Sequence, residues 1–297
     1  MIVLDIFRTS NDILELSRWE QRAGLEDRGI DVVPLDLTGL PVAEAQDRYI
    51  RAMDMARPQL QLIRGGDVLE ILPLVTKVPT LFDHSTPYSF GKTTPLRGKL
   101  EYLRRSFCYS TMAVNDLKDA MVHRITLVSG PYLSPIPTPE PEKMTVAVLK
   151  TCSLAQQVLR EVAHMRDRAH LDFNIVSTMP APGVEVVESS FEAARRASLV
   201  CAPMEDIDYG QPHVGAVLAL ATGKALATSR TSALESLPYP TGSFISILKH
   251  APRSYGTAAT TLANSKGLSD WPKKVQYDAE KAIDVLAEHI RQEALNG

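Results

Sequence analysis

Apolar runs of strand length alternate with longer helical patterns along both halves of the chain, the signature of βαβ units and parallel sheet. In the first half the pattern predicts strands over 2–7, 31–36, 60–63, 79–83, 109–113 and 124–128, with helices between them. The clearest helix covers 12–27, where Ile13, Leu14, Leu16 and Trp19 form an apolar stripe, Ser10-Asn11-Asp12 offers caps and Gly29 follows as a stop signal. Pro135, Pro137, Pro139 and Pro141 then stand at alternate positions, and such a segment sustains neither a helix nor a central strand. It reads as an interdomain linker over 133–142.

Beyond it the pattern restarts. Strands are predicted over 145–149, 171–177, 199–202 and 225–229, helices over 154–168, 191–196 and 214–222, and a last amphipathic helix over about 275–294, after the Trp271-Pro272 break. The expected fold class is α/β, with two Rossmann-like domains facing across a cleft and a ligand held at the C-terminal edges of both sheets.

Length supports two domains of about 140 residues each, because 297 residues exceed one compact core. With 44% hydrophobic and 23% charged residues, the composition is that of an ordinary globular protein. A formal charge of −3 supplies no global field for a polyanion, so nucleic acid is left only to a local basic face. Cys108, Cys152 and Cys201 are odd in number and outside any CxxC spacing. They suggest neither a disulfide framework nor a zinc site, and a cytoplasmic location fits best. The chain opens on an apolar run interrupted by Asp5, without a basic leader, and no stretch approaches the roughly 20 apolar residues of a membrane span.

A more specific pattern lies in the second half. Ala197-Ser198-Leu199-Val200-Cys201-Ala202-Pro203 is followed by Tyr209-Gly210-Gln211-Pro212, then by Leu218-Ala219-Leu220-Ala221-Thr222-Gly223-Lys224-Ala225-Leu226-Ala227-Thr228-Ser229, with Glu235 after the strand. This order resembles the donor-binding region of retaining GT-B glycosyltransferases of the glycogen-synthase-like clan: a buried strand, a Glu-Gly-Phe-Gly-like loop, a helix ending in Ala-x-Gly, and a strand. The resemblance implies transfer of a sugar from a nucleotide diphosphate sugar to a hydroxyl. An acceptor-side domain would cover 1–135, with the helix 275–297 packing back onto it, and a donor domain would cover 143–274. The scheme needs no metal and no cofactor, the nucleotide sugar being a substrate. One departure stands out. The family has a second carboxylate seven residues after the first; Glu205 can stand for the first, but His213 comes eight positions later and alignment from the Ala-Thr-Gly-Lys end offers Leu218. His213 and Gln211 contact the sugar diphosphate, or the donor site is altered, or the protein no longer transfers sugar.

The residues themselves allow a parallel reading. Gly210 at a strand-to-helix turn lets backbone N–H groups approach a ligand, and the helix N-terminus near Val214 favours a diphosphate. The candidate donor residues are Lys150, Glu205, Tyr209, Gly210, Gln211, His213 and Glu235. Asp83-His84 ends a strand of the first half, a good address for a general base, and Arg8, Ser10 and Arg64 are candidates on the acceptor side. Gly91-Lys92-Thr93-Thr94 lacks the leading glycine of a Walker loop, since Thr86 occupies its place. Lys92, Arg97, Lys99, Arg104, Arg105, Lys118 and Arg124 nonetheless make this stretch basic, so the unknown acceptor includes a modified base in DNA as an option. Asp206 and Asp208 lack any fixed metal-ligand spacing. The rival readings are a non-catalytic nucleotide or sugar-nucleotide binder of the same fold and an unrelated two-domain α/β ligand-binding protein.

Overall fold

The computed structural model describes residues 1–8, 12–85, 96–128, 133, 135–136, 138, 141–204, 213–229, 234, 237, 244–247, 251–264 and 279–295. One compact unit is built from Met1–Tyr132 with Asp278–Gly297, the other from Leu133–Asp206 with His213–Tyr277.

The first unit runs β1 (Ile2–Phe7), α1 (Asp12–Glu26), β2 (Asp31–Asp36), α2 (Val42–Ala56), β3 (Leu60–Arg64), α3 (Gly66–Ile71), β4 (Thr80–Asp83), α4 (Arg97–Leu100), β5 (Leu103–Cys108), α5 (Thr111–Asp119) and β6 (Ile125–Leu127). Its strands form one parallel sheet in the order β2-β1-β3-β4-β5-β6. Alternation along the strands divides its core. Leu4, Ile6, Ile63 and Phe82 point to one face, where Tyr49, Met53, Leu69 and Leu117 pack on them. Asp5, Phe7, Leu62, Arg64, Asp83 and Phe107 belong to the other.

That second face is the charged one, and one of the helices that cover it follows the second unit in chain order. Alongside α1 packs the chain's last helix, Ala279–Leu295. Ile283, Leu286, Ala287 and Ile290 form its buried stripe. Arg28 reaches Glu280 at 2.8 Å and Asp284 at 2.7 Å, while the buried Glu293 meets Arg105 at 3.1 Å and Arg124 at 3.3 Å. The two helices approach closely at Gly24, where an added Cβ would lie 3.0 Å from Ile283 Cγ1. Gly24→Leu is therefore expected to lower unfolding stability by about 1–3 kcal/mol, the range for overpacking. A urea midpoint equal to wild type would show that this contact does not hold the helix.

The second unit runs β7 (Thr145–Val148), α6 (Ala155–Arg168), β8 (Asn174–Ser177), β9 (Glu185–Val186), α7 (Ser190–Arg195), β10 (Leu199–Ala202), α8 (Val214–Ala221), β11 (Ala225–Ser229), β12 (Phe244–Ile247) and α9 (Pro252–Asn264). The last helix, Ala279–Leu295, is α10. The parallel sheet has the order β12-β11-β10-β7-β8-β9. Taken from the unit's own first strand, this is the 3-2-1-4-5-6 order of dinucleotide-binding folds, whereas the first unit follows the flavodoxin-like 2-1-3-4-5 order with one strand added. Gly256 lets α9 lie against α6, since a Cβ there would meet Met165 Cγ at 2.7 Å. Among the described residues of 133–142 there is no helix or strand; Ile136 N–H donates to Ala221 O and Thr138 Oγ1 to Thr222 O.

Two local expectations need correction. Residues 109–113 are not a strand: the strand is Leu103–Cys108, and Ser110 caps the following helix by accepting from Ala113 N–H. Trp19 lies off the buried stripe of α1 and is 63% exposed, because the helical period carries the inward face through Ser17 and Arg18. The pattern also missed β9, β12 and α9.

Candidate functional site

In an open parallel sheet a ligand binds outside the strand C-termini where the chain reverses its direction of winding. In the second unit that point lies between β7, followed toward β8, and β10, followed toward β11. Lys150 sits just past β7 with its side chain exposed. The next residue, Thr151, donates its hydroxyl to Pro203 O just past β10, tying the two strand ends together. The first turn of α8 is pressed against these ends. A Cβ on Gly215 would lie 2.4 Å from Ala202 Cβ and 3.3 Å from Thr151 Cγ2, so only glycine allows this approach. The N-terminal N–H groups of α8 are thereby held at the switch point, with the partial positive charge of the helix end.

His213 sets that geometry. It is 1% exposed and is the N-cap of α8, Nδ1 accepting from Ala216 N–H at 3.1 Å and Nε2 lying 2.6 Å from Thr228 Oγ1. The Thr228 hydroxyl donates to Ala202 O at 2.7 Å. These roles are consistent with one tautomer, neutral with the proton on Nε2. Burial pushes the His213 pKa down to about 4. As a donor residue His213 thus brings no charge to a phosphate; both ring nitrogens are engaged in the core, and its contribution is to hold the helix end. Leu218, the other position aligned with the second carboxylate, is fully buried within α8. Glu205, Tyr209, Gly210, Gln211 and Glu235 lie outside the described residues, as do Asp206 and Asp208.

In the first unit the switch point lies between β1 and β3. Arg8 follows β1 and donates to Leu40 O at 3.0 Å; Ser10 lies outside the described residues. Arg64, at the end of β3, is 5% exposed and turned into the sheet face. Its Nε donates to Asp5 Oδ1 at 2.6 Å, its Nη1 to Asp83 Oδ2 at 2.7 Å and its Nη2 to Gln21 Oε1. Burial opposes its charge, but the two carboxylates outweigh that and raise its pKa. Burial likewise pushes the Asp83 carboxyl up, against the pull of Arg64 and a hydrogen bond with Tyr109. Arg18 completes the cluster, lying 4.4 Å over the Phe7 ring, its pKa lowered to about 10 by burial and by Arg64.

Asp83 therefore does not orient His84. Its carboxylate is committed across β3 and β4, and successive strand residues face opposite ways. His84 is buried, its ring edge-on to Phe82 at 5.7 Å between centroids and its backbone N–H donating to Phe107 O at 2.9 Å. Arg64 is a clamp between two buried aspartates, and its three donors reach Asp5, Asp83 and Gln21. Asp5, Gln21, Arg18 and Tyr109 were missed as members of one cluster. The signal was there: Asp5 interrupts an apolar strand and Arg64 ends another, and buried opposite charges must pair.

Part of the basic stretch is engaged within the fold. Lys99 Nζ donates to the carbonyls of Leu69, Glu70 and Leu72 at the end of α3, and Arg105 and Arg124 hold Glu293. Arg104 and Lys118 are exposed, while Lys92 is not among the described residues. Burial pushes the thiols of Cys108 and Cys201 up to about 12, so neither is a thiolate nucleophile near neutral pH. Among the described residues no group of three or more His, Cys, Asp or Glu is placed to hold a metal, and no helix is long and apolar enough to cross a membrane.

No protein-family model and no curated protein sequence matches the chain. Solved structures do match it. A candidate UDP-N-acetylglucosamine 2-epimerase from Listeria monocytogenes has a TM-score of 0.64 at 12% identity, over 100% of this chain and 97% of that one. HepE from Anabaena, solved with UDP-glucose, has 0.60 at 10% identity over 100% and 98%. MurG from Acinetobacter baumannii has 0.54 at 11% over 98% and 100%. The chain has the GT-B fold.

Proposed function

We propose that the protein is a glycosyltransferase that takes a sugar from a nucleotide diphosphate sugar and places it on a hydroxyl acceptor. The observation that carries this reading is the second unit's switch point, where Lys150, the strand ends tied by Thr151 and the glycine-seated N-terminus of α8 converge. The partial positive charge of a helix N-terminus and one exposed ammonium suit a diphosphate. HepE, of the same fold, was solved with UDP-glucose and with UDP, and the Listeria protein is named for a UDP-sugar; both support a UDP-sugar as the donor class. In the transfer the acceptor oxygen bonds the anomeric carbon, that carbon's bond to the diphosphate oxygen breaks, and the diphosphate leaves with the bonding pair. Lys150 and the α8 N–H groups stabilise the charge that develops there. The acceptor proton passes to a general base.

Lys150→Ala is expected to weaken UDP binding by about 10- to 100-fold, the equivalent of about 1.5–3 kcal/mol for a charge-assisted hydrogen bond. Stability should be unchanged, since the side chain is exposed. Calorimetric titration with UDP checks it, and equal affinities in variant and wild type would remove Lys150 from the site.

The buried Leu218 and the core-facing His213 favour a second reading, in which the fold binds a sugar nucleotide without turning it over. Binding of UDP-glucose without release of UDP over a panel of hydroxyl acceptors would establish it.

A further inference from the structure

Histidine is an uncommon residue at a helix N-cap. Ser, Thr, Asp and Asn prevail there because each brings a side-chain oxygen that accepts a hydrogen bond. A neutral imidazole has one acceptor nitrogen, and the tautomer decides which of the two it is. In His213, Nδ1 takes Ala216 N–H at 3.1 Å, which requires the ring proton to sit on Nε2. The other tautomer and the imidazolium would each set an N–H against Ala216 N–H.

Thr228 selects between these forms. It is fully buried in β11, with Oγ1 2.6 Å from Nε2 of His213. A hydroxyl can donate as well as accept, so its presence alone would not fix the ring. The hydroxyl proton, however, is directed elsewhere: Ala202 O at 2.7 Å and Ser229 O at 3.3 Å are carbonyls that can only accept. What Oγ1 offers Nε2 is therefore a lone pair. The bonds run in one direction, from Ala216 N–H to Nδ1, from Nε2–H to Oγ1, and from the hydroxyl to Ala202 O. Ala202 lies opposite Thr228 in the register of β10 and β11, and it is also the residue against which Gly215 seats α8. Ser229, the next residue, serves the opposite face of the sheet, where its hydroxyl meets Tyr255 at 2.9 Å.

We infer that Thr228 is a positioning residue of the donor site: buried beneath α8, it fixes the His213 tautomer and, through that cap, the direction in which the first-turn N–H groups of Val214 and Gly215 meet the diphosphate. The inference rests on the donor reading above. Without the hydroxyl, a buried Nε2–H would be left with no acceptor at that position, and the ring would have to turn or change tautomer to regain one. Either change takes Nδ1 away from Ala216.

Thr228→Val keeps the shape of the side chain and removes only the hydroxyl. UDP is titrated calorimetrically against wild type, Thr228→Val, Thr228→Ser and Thr222→Val, with the Tm of each measured alongside. Thr222 Oγ1 donates to Leu218 O at 2.7 Å at the far end of α8, so Thr222→Val weakens the same helix without touching the cap. Thr228→Val is expected to bind UDP about tenfold more weakly than wild type, Thr228→Ser within about threefold, and Thr222→Val within about twofold even where its Tm falls as far. Ring-nitrogen NMR shifts near neutral pH, with the His213 signal identified by its loss in His213→Asn, should show the proton on Nε2 in wild type and a changed Nδ1 in Thr228→Val. Full UDP affinity in folded Thr228→Val, an equal loss in Thr222→Val, no recovery in Thr228→Ser, or a proton on Nδ1 in wild type would overturn the inference. If Thr228→Val does not fold, Thr228→Ala takes its place under the same criteria. Wild type without UDP affinity overturns the donor reading and the positioning role with it, whereas full affinity in Thr228→Val removes Thr228 alone.

Discussion

Replacing Arg64 by leucine is expected to lower the unfolding free energy of the first unit by about 3–5 kcal/mol, the range for removing one member of a buried ion pair. The magnitude comes from what is left behind. Asp5 is 1% exposed and Asp83 3%, and without the guanidinium both would be charged, buried and close to each other. Arg64→Lys should recover only part of the loss, since one ammonium cannot bridge Asp5, Asp83 and Gln21 in the planar arrangement seen here. Neutralising the set together, as Arg64→Met with Asp5→Asn and Asp83→Asn, should recover most of it, because apolar or neutral replacements of a complete buried network are often tolerated. Urea unfolding of the four proteins checks the order. A single leucine variant within 1 kcal/mol of wild type would mean the aspartates find other partners, and the clamp would have to be abandoned.

The second large effect is expected on acidification. His213 has a pKa of about 4 in the fold against 6.5 for the free side chain. Between these values the unfolded chain binds a proton that the native chain does not, so stability falls as pH falls. Above pH 6.5 the penalty is absent; by pH 4 it amounts to about 3 kcal/mol at 1.36 kcal/mol per pH unit. Protonation would also remove the acceptor on Nδ1, releasing the cap of α8. His213→Asn should keep a capping oxygen and lose the titration, leaving a protein about 1 kcal/mol less stable at pH 7.5 but with a shallower decline toward pH 4.5. The same slope in the variant and in wild type would assign the acid sensitivity to other groups.

Much of the architecture was legible because parallel strands buried on both faces are short apolar runs. Val146, Ala147 and Val148 in β7 and Leu199, Val200 and Cys201 in β10 are such runs. The strand Leu103–Cys108 was illegible for the opposite reason. Arg104 and Arg105 interrupt its apolar pattern, and Arg105 is accommodated by Thr126 on the neighbouring strand and by Glu293, 188 residues later. Composition and period carry no trace of so distant a partner. The site shows the same limit. Lys150 at a strand end was readable as a position, but His213 looked like a ligand group because its burial and its bond to Thr228 arise from tertiary packing. Arg64 and Asp83 looked like separate candidates, and only the register of β3 against β4 joins them.

The placement of α10 on the first sheet sets a schedule for synthesis. The first unit's strands leave the ribosome long before Ala279–Leu295 does, yet the face with Leu62, Arg64, Asp83 and Phe107 is closed by Leu286 and Val285 from that helix. Until the last turn emerges, the nascent first unit carries an open apolar and charged face, and Arg105 and Arg124 await Glu293. The second unit, built from a later and nearly continuous stretch, can finish first. Such a chain gains from delayed commitment: a nascent chain arrested before residue 279 should be readily cleaved by protease in its first half, and release of the final residues should make that half resistant.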